Sequence, residues 1–258
     1  MRLIFIRHGD PDYVHDSLTE KGEREVKLLT KRVCQWKNIT EFYTSPLGRA
    51  KATIGPSLKK LKRTDITKKW LEEFSFQAKD PFTGENRIMW DLLPKYYTSI
   101  PEFFDKDKWA DTDFIKTADG KNHYKDVCDG IDGLLSEYGY IRDGMIYSVE
   151  NPKDNPNFNP DIKKYQLVSE KNLEEDTTLV LTCHLGVMFT IIAHLTGLSP
   201  LQLWQGFYVP PTSITILNSE ERIKGEAFFR VERLGDTRHL GKKEVISSSG
   251  YFTDVFQG

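Results

Sequence analysis

The sequence predicts an α/β fold built on a layered sheet. Three observations carry that reading. Short apolar runs at residues 2–7 and 178–182 have the continuous character of buried strands, and 41–45 reads as a further strand. Segments of helical periodicity follow each of the three. Cap and turn residues punctuate the junctions, which is the rhythm of strand–helix alternation.

The first strand is Arg2-Leu3-Ile4-Phe5-Ile6-Arg7. A polar loop from Gly9 to Ser17 follows, and Thr19 reads as a helix N-cap. Val26, Leu29 and Val33 recur at helical spacing and carry that helix to about Trp36. Glu41 to Ser45 reads as the second strand, ended by Pro46, with a helix over 47–61. Residues 66–74 read as a third extended segment. The alternation then stops. From Ser75 to about Tyr165 the chain is rich in aromatics, Asp and Lys, with one helix expected over 122–138 and a loop over 151–160. This 75–165 stretch reads as a helical and irregular cap inserted within a single domain spanning 1–258. Its dense aromatics suit a small core of their own or a lid. Thr178 to Thr182 resumes the sheet, a helix runs from Gly186 to Leu195 and closes at Gly197, and Ser199-Pro200 starts a short helix. Residues 213–217 and 227–234 suit a terminal hairpin, and the polar tail after Gly235 is expected to be loosely held.

Composition narrows the function. The chain has 258 residues, 38% hydrophobic and 29% charged, enough apolar material for a core. Its formal net charge of -2 gives a polyanion no global attraction, so nucleic acid is not an expected partner. Any anion site must be local. Cys34, Cys128 and Cys183 make an odd, widely spaced set, which speaks against a disulfide framework or a zinc site. The first apolar run is too short for a signal peptide, and the apolar stretch 177–198 is interrupted by His184, Gly186 and His194. A cytoplasmic protein without a membrane partner is the expectation. The oligomeric state is left open.

The candidate chemistry sits where strands end, the usual place for ligands in open α/β sheets. Arg7-His8-Gly9 closes the first strand and Ser45-Pro46-Leu47-Gly48-Arg49 the second. Thr182-Cys183-His184-Leu185-Gly186 closes a later one, and Glu72-Glu73 follows the third extended segment. Singly, each has a plainer explanation: Arg49 a surface helix residue, His184 a hydrogen-bonded core histidine, the glutamates solvated. Jointly, two Arg, two His and an acid at adjacent strand ends suit a phosphoryl group. Guanidinium forks match its oxygens, a neutral His can attack phosphorus, and a carboxylic acid can protonate the leaving oxygen. Such a reaction needs no metal or cofactor.

These elements together resemble the histidine phosphatase superfamily, whose fold is phosphoglycerate-mutase-like. The resemblance rests on Arg7-His8-Gly9, on Leu18-Thr19-Glu20-Lys21-Gly22, on Ser45-Pro46-Leu47-Gly48-Arg49-Ala50, on Leu71-Glu72-Glu73 and on His184 after a late strand. It covers about 1–74 and 176–235. It implies a three-layer α/β/α sandwich in which His8 is the phosphorylated nucleophile. Arg7, Arg49 and His184 are then the phosphoryl-binding residues, and Glu73, rather than Glu72, is the proton donor by register. The implied function is a metal-free phosphatase acting on a phosphorylated small molecule, or on a phosphoprotein. A mutase that retains the phosphoryl group and a silent phosphoryl-binding module are the alternatives. The chain lacks the Arg-His-Tyr-Gly run typical of phosphoglycerate mutases, which speaks against the mutase, and it departs from the family in placing Leu185 between His184 and Gly186.

Overall fold

The computed structural model describes residues 1–149, 177–241 and 243–247. The loop expected over 151–160 therefore lies outside the described residues. The order begins with β1 (Arg2–Arg7), β2 (Pro11–Asp12), β3 (Ser17–Leu18), α1 (Glu20–Val33), β4 (Glu41–Thr44), α2 (Gly48–Leu61) and β5 (Ile66–Thr67). It continues with β6 (Gln77–Lys79), β7 (Asn86–Ile88), α3 (Pro94–Tyr97), α4 (Asp113–Thr117), α5 (Gly120–Ser136), β8 (Tyr140–Asp143) and β9 (Ile146–Val149). It ends with β10 (Thr178–Cys183), α6 (Leu185–Thr196), α7 (Pro200–Gly206), β11 (Ile214–Ile223) and β12 (Glu226–Asp236).

Among the described residues, eight strands form one mixed sheet in the order β5-β4-β10-β1-β11-β12-β9-β8. β1, β10, β4 and β5 run parallel, and β11 returns antiparallel beside β1. The continuous apolar character of β1 has a direct cause: both its faces are covered. Leu3 and Phe5 enter the core beneath α5 and α6, while Ile4 and Ile6 pack with Leu29 and Val33 of α1 and with Ile54 and Leu58 of α2. Two helical layers thus sandwich the sheet, and the α/β/α expectation holds.

Thr19 caps α1 by accepting the Gly22 N–H at 3.1 Å. Gly197 closes α6 in the left-handed region at φ 71°, where glycine has no Cβ penalty. The segment 66–74 is not extended throughout. After the two residues of β5 the chain tightens into a 3-10 turn at Lys69–Leu71, which buries Leu71 and swings Glu73 towards α6.

The aromatic stretch after Ser75 joins the main core rather than forming one of its own. Phe103, Trp109 and Phe114 are buried in it, and Tyr96 and Tyr97 pack against it. Trp109 meets Trp204 of α7 edge-on at 6.0 Å. The β8–β9 hairpin extends the main sheet beyond β12. The tail after Gly235, expected to be loose, is tied down as far as it is described. Asp236 pairs with Arg32, Leu240 is buried, and the Ser247 hydroxyl donates to Asp10 at 3.1 Å. Among the described residues no helix is long and apolar enough to cross a membrane.

A polar network ties α5, β8 and β9 to α6. Asp132 of α5 accepts from Tyr147 of β9 at 2.5 Å and pairs with His194 of α6 at 2.9 Å. Arg142 of β8 donates to the Tyr147 hydroxyl at 3.1 Å and to the His194 carbonyl at 3.2 Å. Burial opposes the Asp132 charge, but the hydrogen bonds from His194 and Tyr147 outweigh it and hold the carboxyl below its ordinary value. Asp132→Ala is expected to lower stability by about 1–3 kcal/mol, because it takes the acceptor from the Tyr147 hydroxyl and from His194 Nε2. Urea denaturation checks this. The loss should shrink in acid, as the native Asp132 takes up its proton.

Candidate active site

The register of three parallel strands builds the site. Arg7 of β1 lies opposite Cys183 of β10, and Thr182 of β10 opposite Thr44 of β4. The next residue on each strand is therefore His8, His184 and Ser45. Two further hydrogen bonds extend the ladder past the strand ends: His8 N–H to the Cys183 carbonyl at 2.9 Å, and Ser45 N–H to the Thr182 carbonyl at 2.9 Å. The His8 and His184 rings stand with centroids 5.0 Å apart.

A hydrogen bond fixes the His8 tautomer. His8 Nδ1 is 2.7 Å from the Gly9 carbonyl, which can only accept, so Nδ1 carries the proton and Nε2 keeps its lone pair. The Ser45 hydroxyl accepts the Leu47 N–H at 3.3 Å and lies 2.7 Å from His184 Nε2, to which it can give its own proton. That leaves His184 Nδ1–H as a donor. Both rings are buried, at 1% and 0% exposure. Burial, reinforced by Arg7, lowers His8 to about 3. Burial, then His8 and the two arginines, holds His184 well below the ordinary imidazole value. At neutral pH both rings are uncharged.

The guanidinium groups are held from behind. Arg7 Nη1 donates to the Val209 carbonyl at 2.5 Å, and its head lies 5.5 Å from the Tyr208 ring centroid. Arg49 Nη1 donates to Asp16 Oδ1 at 2.6 Å, while Asp16 Oδ2 accepts the Gly48 N–H at 2.6 Å. Asp16 thereby caps the start of α2 and orients Arg49 with one carboxylate. Burial works against its charge, but these bonds keep it below its usual range. Gly48 is required here, because a Cβ would stand 2.2 Å from the Asp16 carbonyl. Arg7 Nε, Arg49 Nε and His184 Nδ1 are buried and take no hydrogen-bond partner among the described residues.

Of the two glutamates, Glu73 reaches the site. Its Oε1 accepts the N–H of Phe74 at 2.8 Å and of Val187, in the first turn of α6, at 3.1 Å. Burial pushes its carboxyl up and prevails over those bonds and over the arginines. Gly186 is required between His184 and Val187: a Cβ there would meet Glu73 Oε1 at 2.7 Å. The five residues read from the sequence, Arg7, His8, Arg49, Glu73 and His184, thus surround one place.

Several contributors were not read from the sequence. Thr53 accepts the Gly9 N–H at 2.8 Å and donates to the Arg49 carbonyl at 2.7 Å, joining the two motifs. Its position four residues after Arg49, on one helix face, is the only signal for it in the sequence. Tyr208, Val209 and Asp16 support the arginines without a motif of their own. Glu25 is fully buried, accepts the Asp10 N–H at 3.2 Å and is raised to about 7, chiefly by burial.

Residues 3–87 match the model of the histidine phosphatase superfamily (branch 1). No curated protein matches the chain in sequence. Solved structures share the fold over nearly its whole length. A mutant phosphoserine phosphatase from Entamoeba histolytica, in complex with phosphoserine, is 18% identical with a TM-score of 0.54, covering 93% of this chain and 98% of that one. Mycobacterial glucosyl-3-phosphoglycerate phosphatase is 15% identical with a TM-score of 0.52, covering 91% and 98%. The α-ribazole phosphatase of Shigella flexneri is 18% identical with a TM-score of 0.52, covering 92% and 97%. At such identities the likeness is one of fold. The N-terminal third of the chain thus carries the sequence match to the histidine phosphatase superfamily, and nearly the whole chain shares the fold of the solved phosphatases.

Proposed function

We propose that this chain hydrolyses phosphate monoesters through a phosphohistidine on His8. One observation carries the reading. Three buried donors without partners, Arg7 Nε, Arg49 Nε and His184 Nδ1, surround a neutral imidazole whose Nε2 lone pair is free. Unpaired buried donors are costly, and a phosphoryl group satisfies them together.

The steps follow from the geometry. The phosphoryl oxygens take the guanidinium and His184 donors. His8 Nε2 forms an N–P bond as the P–O ester bond breaks, its electron pair passing to the leaving oxygen. Glu73 gives that oxygen its proton. Oε1 already holds two backbone N–H groups, so Oε2 is the oxygen that carries the proton. Water then cleaves the N–P bond, the Glu73 carboxylate taking its proton, and inorganic phosphate leaves. The two guanidinium groups stabilise the transferring charge. A small phosphorylated molecule is the substrate class favoured here. The aromatics of the inserted segment are largely consumed by the core, and the structural neighbours are named for small phosphorylated compounds.

Rapid quench in alkaline detergent during turnover should leave phosphate on His8 as an acid-labile, base-stable adduct visible by mass spectrometry. His8→Ala should lower phosphate release by at least about a thousandfold; a fully active variant rejects the mechanism. Glu73→Gln should slow alkyl phosphates far more than 4-nitrophenyl phosphate, whose leaving group needs little protonation. Equal losses on both, or a larger loss in Glu72→Gln, reject the assignment of the acid. In a histidine NMR titration, His8 should show no protonation between pH 8 and 5, because its folded value lies near 3. Unfolded, it binds a proton below about 6.5, so its burial costs stability progressively as pH falls below that value.

A further inference from the structure

Trp90 comes from the inserted segment, outside every motif of the sequence. Its indole Nε1 is buried and takes no hydrogen-bond partner among the described residues. Indole N–H is a donor only, and a buried tryptophan usually finds an acceptor for it. The surroundings supply one candidate. A Cβ built on Gly186 would stand 2.7 Å from Glu73 Oε1, 2.7 Å from Trp90 Cδ1 and 2.8 Å from Trp90 Nε1. The indole N–H edge and the carboxyl oxygen therefore flank the same bare face of Gly186.

Trp90 is held there on both sides. The Gln205 side chain of α7 donates to the Met89 carbonyl at 3.4 Å and accepts the Leu92 N–H at 3.3 Å. The Phe76 carbonyl accepts the Met89 N–H at 3.2 Å. Trp204, also of α7, donates to the Gly186 carbonyl at 3.0 Å and so pins the glycine from its other side.

We propose that Trp90 is a positioning residue for Glu73, its indole N–H serving as a third donor to the carboxylate that forms when Glu73 gives up its proton. This rests on Glu73 acting as the acid. Two donors, Phe74 N–H and Val187 N–H, already face Oε1. Negative charge grows on the carboxyl only as the proton moves from Oε2 to the leaving oxygen. A donor left unpaired beside the acid and paired as charge develops lowers the barrier rather than the ground state. The narrow gap at Gly186 also accounts for the absence of a side chain at that position, since a methyl group would wedge the indole and carboxyl apart.

The test removes the N–H and keeps the ring, with Trp90→Phe and, as a closer isostere, 3-benzothienylalanine at position 90. The primary readout is a 13C NMR titration of the Glu73 carboxyl, assigned by its disappearance in Glu73→Gln. Loss of a donor to the charged form should raise the Glu73 pKa by about one unit. In kinetics, kcat/KM for an alkyl phosphate that the enzyme hydrolyses should fall about tenfold and that for 4-nitrophenyl phosphate should stay within about twofold. In a Glu73→Gln background the same change at position 90 should cost nothing further. An unmoved Glu73 titration in the folded benzothienyl protein overturns the proposal, as does an undiminished loss in the Glu73→Gln background. Failure of the underlying reading looks different: Glu73→Gln alone then lacks its leaving-group dependence, whatever the titration at position 90 shows.

Discussion

The registered ladder of β4, β10 and β1 sets the position of everything else in the site. Parallel pairing places Arg7 opposite Cys183 and Thr44 opposite Thr182, and the next residues continue the ladder through the His8 and Ser45 amides. His8 and His184 consequently emerge level with each other, and Ser45 one residue behind them, beside Cys183. A slip of a single residue would turn each side chain to the opposite face. The alternating burial of β1, with Leu3 and Phe5 on one side and Ile4 and Ile6 on the other, opposes such a slip because it would mismatch both helical layers at once.

That rigid edge carries an electrostatic arrangement unstable in water. Two neutral imidazoles lie buried beside two guanidinium groups, and the burial that keeps them neutral also prevents water from satisfying the arginine donors. Positive charge is held in place from the rear by Asp16, the Val209 carbonyl and the Tyr208 ring. The front is left to an anion. The supports are themselves braced: Thr212 N–H reaches the Arg7 and His8 carbonyls at 3.1 Å, and His239 of the tail meets the Thr212 hydroxyl at 3.1 Å. Ordering of the C-terminal segment is thus coupled to the strand end that holds His8.

The acid is positioned from the other layer. Glu73 leans on the first turn of α6, where a backbone N–H fixes one oxygen, and burial favours its protonated form. The helix therefore fixes its orientation, and the apolar core beneath α6 makes its environment poor in water.

Much of this was legible in the sequence, for identifiable reasons. The two strands of the sheet centre, β1 and β10, are buried on both faces and so are continuously apolar, and the helices after β4 and β10 follow within a few residues. Residues tied to a strand end by covalent sequence, Arg7, His8, Ser45, Arg49 and His184, could be placed from local order alone. Other features depend on distant partners. The 3-10 turn that brings Glu73 round is set by the burial of Leu71, not by strand propensity. The tail is ordered by Arg32, Asp10 and Thr212, which lie far away in the chain. Trp90 meets the site through packing and no local pattern marks it, while Thr53 is marked only by its helical spacing from Arg49. The sequence by itself determined which chemical groups stand at the strand ends, because one or two covalent bonds fix them there. Only the tertiary structure decided which of two adjacent glutamates faces α6, which donors remain unpaired and which aromatics are used up in the core, because those depend on contacts between segments a hundred residues apart.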